Sequence, residues 1–176
     1  VKAAAGAGFD DYLDRSSRFW KKQLNQGAVF EVPEQKVMEM HKASLMYDLM
    51  ARDLQEDRRT VIQTVSDVQY NRFFSRDAAF IIHTYDLLGL PKIAGECIEY
   101  VLLKDEQGRP IGLRATHPDA WGQALWTLAA HYRITGDRDF ARHVYPAVPG
   151  HVGKLEAERA KDPWGLWPVS GPYDNE

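Results

Sequence analysis

The chain has a single cysteine, Cys97, which excludes an internal disulfide framework and a cysteine-rich metal site. No apolar run is long enough to cross a bilayer, and the first residues lack the apolar core of a signal peptide. The formal net charge is only -3, so the chain has no excess of positive charge that would attract nucleic acid or anionic lipid. The six histidines show no metal-binding spacing such as HExxH, and no phosphate-binding loop or nucleophile elbow occurs.

These absences predict a soluble domain with no cofactor, no metal, no nucleic-acid partner and no membrane partner. They leave the compartment open, with the cytoplasm favoured. The 176 residues, of which 44% are hydrophobic, suit one domain with a substantial core. Because Val1 is not a start methionine, we expect the natural N-terminus to lie upstream.

The hydrophobic spacing is helical almost throughout the chain. We expect Ser75 to cap one of the helices and Asp137 to cap another, which Pro146 and Pro149 then cut short. A β-branched segment at 60–65 is expected to be extended. The helices are predicted at 9–24, 33–50, 76–88, 91–103, 118–136, from 138 to about 145, and 152–161.

Nearly all-apolar helices alternate with amphipathic ones in the second half of the chain. The segments 78–88 and 120–134 are apolar around most of their circumference, which predicts burial on several sides. The helices that follow each of them carry one apolar stripe. In addition, Tyr85 and Gly89 repeat at Tyr132 and Gly136, an offset of 47 residues. The pattern predicts an all-α fold of helical hairpins, either a closed toroid or a superhelical repeat array.

Carboxylates stand at the starts of the nearly all-apolar helices, which we expect to form the inner layer of the hairpin array. Asp77 and Asp119 start two of them, and Asp174 and Glu176 lie where a third should begin. A carboxylate at a helix start is usually a cap, stabilised by free N–H groups and the helix dipole. Because inner helices of such an array start at the same end, however, we expect these acids to converge on one rim beside Arg76.

Five tryptophans are many for this length and indicate the ligand class. Sugar rings have apolar C–H faces that stack on indole, and Trp121, Trp164 and Trp167 are expected near the rim. Trp20 and Trp126 are expected in the core.

Two histidines fall within the predicted inner helices. His83 and His131 are expected to be hydrogen-bonded polar residues of the interior, with a sugar-facing His83 as the alternative. Cys97 is expected to be a buried small hydrophobe.

Several segments resemble one enzyme group in the same order. The run RDAAFIIHTYDLLGL resembles the RDxA-type helix of six-hairpin, (α/α)6-barrel glycoside hydrolases of the glucoamylase-like and debranching-enzyme-like group. The segment GQALWTLAAHYRITGDRDFARHVYPAV is similar to that group's next hairpin, and GLWPVSGPYDNE is similar to its acid-bearing loop. The segment VPEQKVMEMHKASLMYDLMARD is similar to the helix that leads into the barrel. The resemblance covers about residues 29–176.

The resemblance implies an inverting glycosidase that acts on α-linked, gluco-configured sugars. In such enzymes a carboxylic acid protonates the leaving oxygen and a carboxylate base activates water, with the two carboxyls roughly 6.5–9.5 Å apart. Arg76 and Asp77 match the motif that holds the hydroxyls of the released sugar. Either Glu176 or Asp174 matches the acid-bearing loop, and Glu176 is preferred. The other implied substrate contacts are Asp119, Trp121 and Gln123.

The resemblance also implies that the chain holds about half of an (α/α)6 barrel. We expect a lead-in helix in 1–28 and a partial catalytic domain in 29–176, with the catalytic base outside the chain. An incomplete barrel exposes the flank of its inner layer, so we expect association with the missing half or self-association. We also expect no hydrolysis by this chain alone.

Two other readings stay open at this point. A non-catalytic helical scaffold that binds a glycan or a protein explains the repeats and the tryptophans without a base. A barrel of the lyase or phosphorylase type would share the architecture and use a different catalytic set.

Overall fold

A computed structural model describes residues 8–102 and 119–166 of the chain. Seven helices and one two-stranded sheet lie in these ranges. The chain divides into two compact units between Leu49 and Met50. The elements are α1 (Phe9–Leu24), α2 (Gln35–Met50), β1 (Arg52–Leu54), β2 (Val61–Gln63), α3 (Ser75–Leu87), α4 (Pro91–Leu102), α5 (Asp119–Thr135), α6 (Arg138–Val144), a single 3₁₀ turn (Tyr145–Ala147) and α7 (Val148–Arg159).

The first unit contains α1 and most of α2. Helix α1 has the predicted bounds, and Gly27 adopts a left-handed conformation just beyond its end (φ 86°). The second helix begins at Gln35, two residues after Pro33, rather than at the proline. The division of the chain at 28/29 stays a prediction.

The second unit opens with a β-hairpin, of which the sequence predicted only the second strand. Strands β1 and β2 pair antiparallel, with Arg52 opposite Gln63. Gln63 is fully buried, and its side-chain oxygen accepts a hydrogen bond from the Tyr85 hydroxyl of α3 at 3.0 Å. Arg52 reaches Glu96 of α4 at 2.6 Å. The hairpin is therefore fastened to both α3 and α4 by polar contacts.

Helices α3 and α4 form a tight helical hairpin. Gly89 adopts the left-handed conformation (φ 71°) that ends α3, as the sequence predicted. The predicted cap at Ser75 is wrong by one residue: Phe74 is the N-cap and Ser75 is the first helical residue. Extended backbone at Phe74 lets the helix start without a side-chain cap.

The second helical hairpin consists of α5 and an interrupted return helix. Gly136 repeats the left-handed conformation of Gly89 (φ 66°), and the Asp137 side chain accepts from two backbone N–H groups at the start of α6. Helix α6 ends before Pro146, as predicted, whereas the next helix starts before Pro149 and not at residue 152. Because a proline in the first turn of a helix loses no hydrogen bond, α7 begins at Val148 and includes it.

Helices α3 and α5 pack side by side in the same direction. Their contacts run from Arg76–Asp119 at the start, through Phe80–Trp126, to Asp86–His131 at the end. The core lies between these helices and α4, around fully buried Ile82, Ala94, Cys97 and Ile98. As predicted, the two helices start at the same end, which we call the rim.

The outward faces of α3 and α5 are exposed, against the prediction that these helices are buried on several sides. Phe80 is 61% exposed and Trp126 is 40% exposed, so Trp126 is not the core residue that the sequence predicted. Among the described residues, their neighbours cover only one side of each helix. Cys97 and His131 are buried as predicted.

The described residues are mostly helical with one small sheet, in agreement with the all-α prediction. Two parallel inner helices with antiparallel partners fit a hairpin array, and closure of that array into a toroid stays a prediction. Within the described ranges, no helix combines the length and hydropathy needed to cross a membrane.

Candidate functional site

The rim brings together a cation from α3 and a carboxylate from α5. The guanidinium of Arg76 donates from Nη2 and Nε to Oδ2 of Asp119, at 2.6 and 2.7 Å. The two side chains remain 59% and 37% exposed. Arg76 therefore occupies one oxygen of Asp119, and the Arg76 side chain as a whole stays mostly exposed.

Gln123 completes this polar cluster from one turn further along α5. Its side-chain nitrogen donates to Oδ2 of Asp119 at 2.8 Å. The second oxygen of Asp119 and the side-chain oxygen of Gln123 are both buried, and neither has a hydrogen-bond partner within the described part of the chain. Two buried acceptors at the rim thus lack donors among the described residues.

Asp77 lies next to Arg76 at the start of α3 and is exposed. No ion pair or hydrogen bond of its side chain is present among the described residues. Its position in the first turn favours a negative charge through the helix dipole. The structure therefore places Arg76, Asp77, Asp119 and Gln123 at one end of the helix pair.

Trp121 packs beside this cluster against residues that the sequence analysis did not single out. The His151 ring lies edge-on at 6.2 Å between ring centres, and the Lys154 ammonium lies 5.8 Å from the indole centre. His151 is buried. The spacing of three residues between His151 and Lys154, which puts both on one face of α7, was the available signal.

The remaining predicted site residues follow α7 in the sequence. Trp164 is 83% exposed, and its backbone N–H donates to the Asp162 side chain at 2.8 Å. Trp167, Asp174 and Glu176 lie outside the described residues, so the acid-bearing loop stays a prediction.

A second group of side chains, which the sequence did not predict to lie together, is found further along α3 and α5 from the rim. The Trp126 ring contacts Phe80 at 5.7 Å and His83 at 4.8 Å between ring centres. The Nδ1 atom of His83 is buried and has no hydrogen-bond partner among the described residues, and its role as a hydrogen-bonded interior histidine stays a prediction. The alternative, a His83 that faces the sugar pocket, also stays a prediction.

The arrangement can bind a neutral, hydroxyl-rich ligand. It offers N–H donors on Arg76, the exposed carboxylate of Asp77, and exposed aromatic rings nearby. In the described ranges, no three His, Cys, Asp or Glu side chains come close enough to hold a metal ion.

Comparison with known proteins gives one distant similarity. The chain is 26% identical over 148 residues to an uncharacterized glycosyl hydrolase of Methanocaldococcus jannaschii. The match covers 76% of this chain and 24% of the relative, so the chain spans about a quarter of that protein's length. No protein-family model matches the chain. No solved structure matches it either. That relative carries the name of a glycosyl hydrolase, and the similarity to it gives no detail of linkage or mechanism.

Proposed function

We propose that the chain is part of a glycoside hydrolase that acts on α-linked, gluco-configured sugars with inversion. The observation that carries the proposal is the convergence of Arg76 and Asp119, 43 residues apart, at one rim with Asp77 beside them. The distant similarity to a glycosyl hydrolase and the resemblance of the RDAA helix to six-hairpin enzymes support the same class.

At this rim, Arg76 and Asp77 grip the hydroxyls of the sugar that is released. The guanidinium has five N–H donors, and Asp119 occupies only Nε and Nη2, so donors remain for ligand oxygens. The exposed carboxylate of Asp77 accepts from hydroxyl groups. Asp119, to which Gln123 also donates, holds Arg76 in place at the sugar, and Trp121 and Trp164 stack on sugar rings.

The general acid is Glu176 in this proposal, with Asp174 as the second choice. It protonates the leaving oxygen while a base on the opposite face removes a proton from the attacking water. The base comes from outside this chain, within a longer enzyme that completes the (α/α)6 barrel. The 176-residue chain therefore binds sugar and does not turn it over.

Binding of glucose tests the site directly. We expect Arg76→Ala and Asp77→Asn each to weaken glucose binding about tenfold or more, since hydrogen bonds to charged groups contribute about 1.5–3 kcal/mol. The matched control is Arg142→Ala, which removes an exposed arginine that pairs with Asp139 on α6. Isothermal titration calorimetry gives the affinities, and equal affinity in all four proteins would contradict the site.

Hydrolysis of aryl α-glucosides and maltose tests the role of the chain in the longer enzyme. We expect no turnover by the purified 176-residue protein. Measurable turnover that disappears in Asp77→Asn would show that the chain is catalytically sufficient. Absence of any sugar binding would instead favour a scaffold that binds protein.

A further inference from the structure

Helix α1 has an apolar side that the described part of the chain leaves partly open. None of its sixteen residues is buried. Phe9, Leu13 and Phe19 are 79%, 52% and 53% exposed. Contiguous apolar surface of this kind marks a place where another surface docks. We call it the α1 stripe, which consists of Phe9, Tyr12, Leu13, Phe19, Trp20 and Leu24, and of these Trp20 and Leu24 are half-buried.

Charged residues border the α1 stripe in a fixed order. Asp10 and Asp14 lie one turn apart along one edge, and Lys21 lies two turns further along the same edge. The edge is therefore acidic in its first half and basic in its second, an order that also suits the dipole of α1 itself. Charges at the edges of a helix pair determine which helix is bound and in which direction. A second copy of α1 that runs antiparallel brings opposite charges together on this edge, whereas a parallel copy brings like charges together.

The apolar residues match in the same antiparallel arrangement. The serines at 16–17 lie at the centre of α1, and small side chains let two helices approach closely there. When two copies cross at this point, Phe9 lies level with Leu24 of the second copy, and Leu13 lies level with Trp20. Each end of the stripe thus meets the opposite end of its copy, and the pairing is symmetric.

The two edges of the stripe complete the fit. On the charged edge, Lys21 of the second copy lies between Asp10 and Asp14, within about 3 Å of each along the helix axis. On the opposite edge, Tyr12 lies beside Phe19 of the second copy, also within about 3 Å along the axis, which allows their rings to contact each other. By the symmetry of the pair, both contacts form twice.

A membrane surface suits this helix less well. Amphipathic helices that lie on membranes carry mainly lysine and arginine on their polar side, which anionic lipids attract. The polar side of α1 carries three aspartates, at positions 10, 11 and 14, beside its four basic residues. The acidic half of the helix would be repelled by such a surface.

We propose that two copies of this chain pair antiparallel through the α1 stripe. The pairing goes beyond the proposed sugar site and does not depend on it, since no residue of α1 belongs to that site. Because one pair of sixteen-residue helices buries less surface than the roughly 1,600 Å² of a standard interface, the dimer is weak and its population depends on protein concentration.

Sedimentation velocity over a range of concentrations tests the pairing with two matched variants. Leu13→Asp buries a charge opposite Trp20 of the second copy, and we expect it to weaken dimerisation about tenfold or more. The control is Phe80→Asp, which places the same charge on an apolar residue of α3 that is 61% exposed, and it should leave dimerisation unchanged. Circular dichroism shows whether both variants keep the helical content of the unmodified chain.

An exchange of charges tests the charged edge without altering the apolar residues. The variant that combines Asp10→Lys with Asp14→Lys has a basic edge throughout, and Lys21→Asp has an acidic one. We expect each variant alone to dimerise about tenfold less strongly than the unmodified chain, because like charges meet. An equimolar mixture of the two should restore the dimer, because each variant then meets the opposite charge.

Three results would overturn the proposal. The first is an unmodified chain that stays monomeric at every concentration tested. The second is a dimer that dissociates in Phe80→Asp and persists in Leu13→Asp, which would place the interface on α3 and α5. The third is binding of the chain to vesicles of phosphatidylserine that Leu13→Asp abolishes, with no dimer in solution, which would assign the α1 stripe to a membrane surface.

Discussion

Replacing Asp86 with alanine should lower the free energy of unfolding by about 1–3 kcal/mol, the usual cost of leaving a buried hydrogen-bond donor without an acceptor. The Asp86 carboxylate lies 2.8 and 3.0 Å from Nδ1 of His131, and the two side chains are 1% and 4% exposed. The pair joins the far ends of α3 and α5. Without Asp86, the imidazole N–H stays buried with no acceptor. Helices α3 and α5 also lose the second of the two polar contacts that join them, the first being Arg76–Asp119.

Urea denaturation of matched variants measures this effect. The control is Asp139→Ala, which removes a carboxylate of the same type from an ion pair with Arg142. The Asp139 side chain is 92% exposed, so this variant should leave the urea midpoint almost unchanged. Joint replacement of Asp86 and His131 by leucine should recover part of the loss, because no buried polar group is then left unpaired. Equal midpoints for Asp86→Ala and Asp139→Ala would show that the buried pair adds nothing to stability.

Much of the fold could be predicted because the helix signals are local. The spacing of apolar residues predicted α1 and α3 to α5 within a residue or two, and the terminating glycines were visible as Gly89 and Gly136. Parallel packing followed from the alternation of apolar and amphipathic helices. That packing is what brings Arg76 to Asp119.

The contacts that the sequence did not reveal are those between distant residues. The pairing of β1 with β2 and the burial of Gln63 depend on Tyr85, which lies 22 residues further along the chain. A short polar strand such as Arg52–Leu54 has no hydrophobic period of its own. Its position is determined by the ion pair with Glu96.

The charged part of the candidate site could be predicted from the sequence, and its aromatic part could not. A charged pair at two helix starts follows from sequence order once the helices are parallel. Phe80 and Trp126 carried the same apolar signal as true core residues, so their exposure could not be read from residue type. Only the three-dimensional arrangement shows which side of each helix has no neighbour among the described elements.

The free energy of unfolding should also fall steeply in alkali because of Cys97. Burial raises the pKa of this thiol from 9.0 to about 11, although the nearby Arg52 acts in the opposite direction. Below pH 9 the thiol is protonated in both the folded and the unfolded chain, so it contributes its full stability there. As pH rises from 9 to about 11, the unfolded chain releases its proton first, and the unfolded state is favoured increasingly.

The full loss across this range is about 2–3 kcal/mol, since one pKa unit corresponds to about 1.36 kcal/mol. Cys97→Ala removes the titrating group and leaves every lysine and tyrosine in place, so the difference between the two pH profiles isolates the thiol. Urea midpoints measured at intervals from pH 8 to pH 11 provide both profiles. The variant should start lower at pH 8, because a buried side chain has been shortened, and then converge on the unmodified chain as pH rises. Parallel profiles would contradict this prediction, because they would mean that Cys97 ionises as easily in the folded chain as in the unfolded one. The prediction rests on the position of Cys97 in the core, beside Gln63 and Tyr85.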